Sequence, residues 1–567
     1  MKRNVAVGIS ALILFVVLIV LLWRPKKDAS MLLINGVVYT VNAAAPSAEA
    51  IAIENGHILA LGSSDDILST YSSQQIIDLQ GKGVYPGFID AHAHLEGLGA
   101  SLLILDLTAA PSVEEIQRRI RERVAIGDAI SWIRGRGWDQ NLWQNKAFPT
   151  KSMLDSATND IPAYLVRVDG HAVWINSKAM ELAGVTNATA DPEGGRIERD
   201  EAGNPTGVFV DRAVNLIASA LPAPSDRERM RAVELAIQAC LKIGLTEVHD
   251  MGVDLEGIEI YRTLIREKKF PFRVYVAIDG VGETWDHFQK TGPELGEPES
   301  RLIIRALKLY ADGALGSRGA ALIEPYADDP GNRGLTLIRQ DSLQEAAAKA
   351  LAKGFQVCTH AIGDRGNHIV LNAYERAFQT GHVKGADVRF RVEHAQVVLP
   401  DDIPRFSLLG IIPSMQPTHC TSDMYWAGDR IGPDREKGAY AWRSFIKAGS
   451  IIPGGSDFPV ESPNPLLGFY AAITRQDVHG WPKGGWHPEE RMTREEALES
   501  FTSWAAYASF QEKTKGTLEP GKVADLVVLS NDIMKVEPAL IPKTTVDITM
   551  IEGEVVYSSG EVVPPTQ

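Results

Sequence analysis

Eight short apolar runs limit what this chain can fold into more than any other feature: 84–90, 246–250, 272–278, 302–309, 355–359, 388–393, 410–415 and 450–455. Each has strand length, and most are predominantly apolar, as strands buried on both faces are. Helical patterns separate most of them, for example Leu343 to Leu351 before the fifth run. That alternation leads to an α/β fold with a parallel sheet, and eight such units predict a (β/α)8 TIM barrel. The interval between the first and second runs is too long for one helix. Residues from about 100 to 225 are therefore read as a long insertion after barrel strand 1, helical at its start (113–125) and rich in Gly, Trp and Asp afterwards.

Strand patterns with Asn-Gly turns occupy residues 31–40, 50–56 and 57–62, and similar patterns return at 524–529 and 548–557. The two ends of the chain are expected to pair into one small β-sandwich domain. The resulting division is a membrane anchor at 1–28, the first part of the sandwich at 29–85, the barrel with its insertion at 86–510, and the second part of the sandwich at 511–567.

The anchor rests on nineteen uncharged residues from Val5 to Trp23. At about 1.5 Å per residue such a helix nearly spans a hydrocarbon core of roughly 30 Å. Lys2 and Arg3 precede it, and Trp23, Arg24, Lys26 and Lys27 close it with an aromatic and basic edge. Leu22 to Lys27 makes a poor signal-peptidase site, so a single uncleaved transmembrane helix is expected, with the catalytic domain outside the cytoplasm on the periplasmic side. The formal charge of −15 over 567 residues argues against a nucleic-acid partner and for a small-molecule substrate. A homo-oligomer is compatible with the sequence but not specified by it.

Metal-ligand residue types recur where the runs end, and barrel active sites sit at the carboxyl ends of the strands. The first run leads into Asp90-Ala91-His92-Ala93-His94, whose alternate imidazoles can share one cation. The fifth leads to His360, the sixth ends in Glu393-His394, and the eighth leads to Gly455-Ser456-Asp457. Four histidines and an aspartate at one end of four strands predict a metal site. Lys308, near the end of the fourth run, has two readings: a strand-end lysine reaching water, or a buried amine that loses its proton and takes up carbon dioxide to become a bridging carbamate, N6-carboxylysine.

With these segments in order, the chain resembles the amidohydrolase superfamily, specifically the YtcJ-like or amidohydrolase-3 family that includes N-substituted formamide deformylases. The words that carry the resemblance run from Pro86 to His94, Gly135 to Asp139, Asp169 to Ser177 and Lys308 to Gly319, with the His360 and His394 segments, Gly454 to Asp457, and Gly516 to Leu526. It implies that His92 and His94 hold one metal, that His360 and His394 hold the other, and that carboxylated Lys308 bridges them. Asp457 would lie beside the first metal as general base and then general acid. Two zinc ions are the first expectation, with manganese, iron or cobalt able to use the same ligands. His171, beside Asp169, is given substrate contact or carbonyl polarisation, against a structural hydrogen bond. Trp138, Asp139 and Trp174 are candidates to line the entrance, against simple packing. Arg318 could meet a substrate carboxylate, against a loop salt bridge.

The function so implied is a membrane-anchored, metal-dependent amidohydrolase that cleaves a non-peptide C–N bond, such as that of an N-substituted formamide or N-acyl amine, through metal-activated hydroxide. A lactonase, esterase or phosphoesterase on the same site and a non-catalytic, membrane-tethered binding or regulatory protein are the alternatives.

Overall fold

The computed structural model describes residues 26–561 apart from 109, 128–130, 168–171, 193–194, 281, 298–299 and 317, and without the side chains of Asn141 and Asp211. The Val5 to Trp23 segment lies outside the described residues. Among those described, no helix is long and apolar enough to cross a membrane.

The chain divides into two compact units. One comprises the chain up to Ala93, Cys240–Val253 and everything from Pro271 onward; the other comprises His94–Ala239 and Asp254–Phe270.

The first unit contains seven parallel strands paired in chain order: β1 (Phe88–Ala93), β2 (Leu245–Val253), β3 (Arg273–Asp279), β4 (Leu302–Tyr310), β5 (Gln356–Ala361), β6 (Arg391–His394) and β7 (Ile412–Ser414). Nearly all their residues are buried, which accounts for the predominance of apolar residues in most of the runs. The eighth run makes no regular ladder. A single parallel bridge joins Gly454 to Met415, and the Ala91 N–H donates to the Gly454 carbonyl, so the segment lies between the last and first strands and nearly closes the barrel. Pro453 has no N–H to give to a ladder, which explains the interruption.

Two further runs divide. Residues Gly83–Pro86 pair with Leu526–Leu529 and Val37–Tyr39 in a different sheet, and β1 starts only after Gly87. A Cβ on Gly87 would stand 2.4 Å from the Thr246 hydroxyl oxygen, so the change of sheet needs a glycine there. Residues Gly385–Val388 form a short helix, and β6 begins three residues later.

Residues from both chain ends share the remaining sheets of this unit. A six-stranded sheet orders Glu554–Ser558, Val546–Ile551, Leu526–Leu529, Gly83–Pro86, Val37–Tyr39 and Ser47–Ala48; a four-stranded one orders His57–Gly62, Ala50–Glu54, Met31–Ile34 and Ile76–Asp78. Leu33, Val38, Ile51, Val84, Leu526, Ile548 and Met550 share one buried apolar core. Arg273 on β3 ties this part to the barrel: its Nε donates to Asp525 Oδ2 at 2.7 Å and its Nη2 to Glu552 Oε1 at 2.8 Å.

The second unit has its own six-stranded sheet, in the order Leu105–Asp106, Ile133–Trp138, Ala163–Arg167, Ala172–Ile175, Pro205–Asp211 and Gly195–Arg199. Trp138, Trp143 and Trp174 form the centre of its core with ring centroids 6.1–6.2 Å apart.

Candidate metal centre

The carboxyl ends of β1, β4, β5 and β6 bring His92, Lys308, His360 and His394 together. The His394 ring centroid lies 4.7 Å from that of His92 and 4.6 Å from that of His360, and Lys308 Nζ is 3.2 Å from His92 Nε2. Asp457 arrives from the closing segment, with Oδ1 3.6 Å from His92 Nε2. Its N–H donates to the His92 carbonyl at 2.7 Å, and the close approach depends on Gly455, where a Cβ would stand 2.6 Å from the His92 nitrogen. Asp90, unremarked in the sequence, fastens the same junction by accepting from the Ser456 N–H and hydroxyl and from the His92 N–H.

Strand alternation would send the side chains of Glu393 and His394 to opposite faces, yet both reach His92. The left-handed backbone at His394 (φ +74°) and Ala395 (φ +41°) breaks the alternation where the strand ends. Asp457 is also left-handed, at φ +59°.

The ligand chemistry fits divalent metal. His92 Nδ1 donates to Glu393 Oε2 at 2.6 Å, which leaves Nε2 as the ligating atom; His394 Nδ1 donates to Gln416 Oε1 at 2.7 Å, with the same result. His360 Nε2 faces Asp312 Oδ1 at 3.6 Å, with no hydrogen-bond partner among the described residues. Asp312 is fixed by the N–H groups of Ala321, Ile362 and Gly363. Such outer partners set the tautomer and aim of metal-binding imidazoles. Ligand atoms of His92, His94 and Asp457 lie within 4.8 Å of one another, as do those of His394, His419 and Asp457.

The electrostatics favour neutral donors. Burial, reinforced by the Lys308 ammonium, lowers His92 to about 4 and His360 to about 3, and burial with the neighbouring imidazoles lowers His394 well below its ordinary value. Burial also lowers Lys308 from the usual lysine range, although Glu393 and Asp457 oppose the shift. For Glu393, burial pushes the carboxyl up, but Arg391 and His92 outweigh it and hold it well down. Fully buried Arg391 is the counter-ion: Nε is 2.7 Å from Glu393 Oε1, while Nη2 donates to Glu393 Oε2, Ser414 Oγ and the Ala91 carbonyl. Its Nη1 donates to Nδ1 of buried His249 at 2.9 Å, so His249 is held in this network.

The remaining sequence candidates fall elsewhere. Trp138 and Trp174 are fully buried in the core of the second unit and donate their indole N–H to the carbonyls of Leu165 and Thr150; they pack rather than line an entrance. Asp139 accepts from Arg167 at 2.8 Å. Arg318 forms a two-point pair with Asp328, the loop salt bridge. Asp169 and His171 lie outside the described residues. Arg391, Gln416, Asp312 and His419 carry no ligand spacing in the sequence. Only the alternation of Arg391 and Glu393 ahead of His394 gave a signal, two charges on one face of a strand otherwise apolar.

Residues 75–557 match the model of the amidohydrolase family. YtcJ of Bacillus subtilis (strain 168), an amidohydrolase by its name, is 35% identical over 93% of this chain and 99% of its own length. The N-substituted formamide deformylase of Arthrobacter pascens is 28% identical over 93% of this chain and 98% of its own. An uncharacterised metal-dependent hydrolase from Pyrococcus furiosus superposes with a TM-score of 0.72 at 29% identity, covering 89% of this chain and all of that one. With its parallel barrel and the imidazole, lysine and carboxylate groups gathered at one end, this chain belongs to the amidohydrolase family, among its YtcJ-like members.

Proposed function

We propose that the chain hydrolyses a non-peptide C–N bond, with an N-substituted formamide or N-acyl amine as substrate and an acid and an amine as products. The observation that carries this is the placement of Asp457, whose two carboxylate oxygens face His92 on one side and His419 on the other, at 3.6 and 3.7 Å. The likeness to the Arthrobacter deformylase supports the substrate class.

His92, His94, His360, His394 and Lys308 would hold the metal, zinc first among the candidates. When bound, it supplies Lewis acidity towards a carbonyl and makes water acidic enough to ionise near neutral pH. Asp457 accepts the proton of the attacking water as the new C–O bond forms. The same carboxyl then delivers it to nitrogen as the C–N bond breaks, serving as base and then acid. Glu393 and Gln416 hold His92 and His394 in their tautomers while this occurs.

Lys308 acts in this reading as its carbamate. Its neutral amine forms an N–C bond to carbon dioxide and releases a proton, and the resulting anion offers two oxygens. Native mass spectrometry is expected to find the chain heavier by one carbon dioxide at Lys308, and acid treatment should remove the increment; an unmodified Lys308 in active, metal-loaded protein overturns the assignment.

The test of function is amine release by the detergent-solubilised full chain, purified without chelator, from a panel of formamides and N-acyl amines. Release that a chelator abolishes and divalent metal restores supports the proposal. Turnover of lactones or phosphoesters alone moves the assignment to those bonds, and a folded chain that neither binds metal nor turns over substrate favours a binding role.

We further place the chain at a membrane through residues 5–23, with the barrel on the periplasmic side. Expressed full-length chain should stay in the membrane pellet through alkaline carbonate, and deletion of 1–26 should release it. Extraction of the full chain by carbonate overturns the anchor.

A further inference from the structure

His92 and His394 each donate their outer ring N–H to a fixed acceptor, on Glu393 and Gln416 respectively. Among the described residues His419 has no such support. It stands in the helix Pro417–Asp423 that follows β7, and its N–H donates to the carbonyl of Gln416, the residue whose side chain positions His394. Its ring lies almost parallel to that of His394, at an interplanar angle of 17° and a centroid separation of 5.9 Å. Its Nε2 is buried, points to within 3.7 Å of Asp457 Oδ2 and has no hydrogen-bond partner among the described residues.

Two readings of this imidazole compete. As a metal ligand it would need its other nitrogen held, since ligating histidines almost always donate their second N–H to a carboxylate, carbonyl or water. Among the described residues nothing accepts from His419 Nδ1, in contrast to His92 and His394. As a donor it needs an acceptor that the described residues do not provide, and leaving a buried N–H unpaired is unfavourable. A substrate seated against Asp457 supplies that acceptor. The oxygen of its electrophilic carbonyl gains negative charge as water adds, and a donor already fixed at that position stabilises the adduct more than the ground state.

We propose that His419 is a catalytic residue whose Nε2–H donates a hydrogen bond to the reacting carbonyl oxygen of the substrate and strengthens that bond as the oxygen becomes anionic; this rests on the hydrolase reading above. No proton is transferred by His419, since the proton balance is carried by Asp457.

The experiment compares wild-type, His419→Ala and His419→Gln holoenzymes, each assayed for metal content by mass spectrometry and for kcat and KM on whichever amide the wild type cleaves. The expected result is a fall in kcat of about 100-fold in His419→Ala, the usual effect of losing one oxyanion donor, with KM and metal content little changed. His419→Gln should recover part of the loss, because its amide N–H reaches in the same direction. Loss of metal in His419→Ala makes the residue a ligand and overturns the proposal, as does an unchanged kcat. If the wild type cleaves no amide of the panel, the amide reading fails, and His419 is judged by calorimetric binding of methylphosphonate as a tetrahedral anion. Affinity at least about ten-fold weaker in His419→Ala with metal retained supports the donor role; equal affinity, or none in either protein, overturns it.

Discussion

Replacing Asp457 with asparagine is expected to lower kcat for amine release by about 10²- to 10⁴-fold, the range associated with loss of a general acid–base group. The substitution isolates chemistry from folding. Asp457 sits at φ +59°, a left-handed conformation that asparagine adopts as readily as aspartate, whereas most other residues would strain it. Its backbone N–H, bonded to the His92 carbonyl, is untouched. What the amide cannot do is accept the proton of water and return it to the leaving nitrogen. Steady-state kinetics beside a metal assay check this: near-wild-type kcat in metal-loaded Asp457→Asn would remove the residue from the proton path.

The second large effect concerns stability. Arg391→Met should destabilise the chain by about 3–5 kcal/mol, the cost of stranding a buried charge. Arg391 is fully buried and supplies Glu393 with a neutralising guanidinium, while Ser414 and the Ala91 carbonyl draw on the same side chain. Without it, the Glu393 carboxylate loses its guanidinium and keeps the His92 N–H. The double change Arg391→Met with Glu393→Leu should regain most of the lost stability, because removing both members of a buried pair is far less costly than breaking it. Metal affinity should remain low, since His92 then lacks the acceptor that fixes its tautomer; loss of such a partner typically weakens binding about 10- to 100-fold. Denaturation midpoints of the metal-free proteins and metal titrations separate the two. If the single variant is as stable as the wild type, the arginine is not the counter-ion that the geometry makes it.

Several of the features behind these predictions were readable in the chain. Strands buried on both faces leave predominantly apolar runs, and seven of the eight runs contain or overlap strands of the parallel sheet. The polar residues that end β1, β5 and β6 stand out because a barrel interior has no other use for them. Lys308 was conspicuous for the same reason, a lysine in a strand otherwise suited to burial. The tryptophans at 138 and 174 misled because an aromatic in a Gly-rich stretch has the same local appearance whether it lines a pocket or fills a core; their burial and satisfied N–H groups decide for the core.

The local sequence by itself determined the parallel-barrel pattern and which imidazole, amine and carboxylate side chains stand at the strand ends, since both depend on periodicity and on the residue that ends each strand. Tertiary structure alone decided which nitrogen of His92 and His394 faces inward, because Glu393 and Gln416 are brought to them from elements whose pairing no local pattern encodes. It also decided that Pro453 interrupts the eighth strand and that Gly87 divides the first run between two sheets. His419 belongs to the same class: in the chain it is one histidine after a Gln-Pro turn, and only the closing of β7 against β6 and the Asp457 segment leaves its Nε2 buried, unpaired and facing the carboxylate.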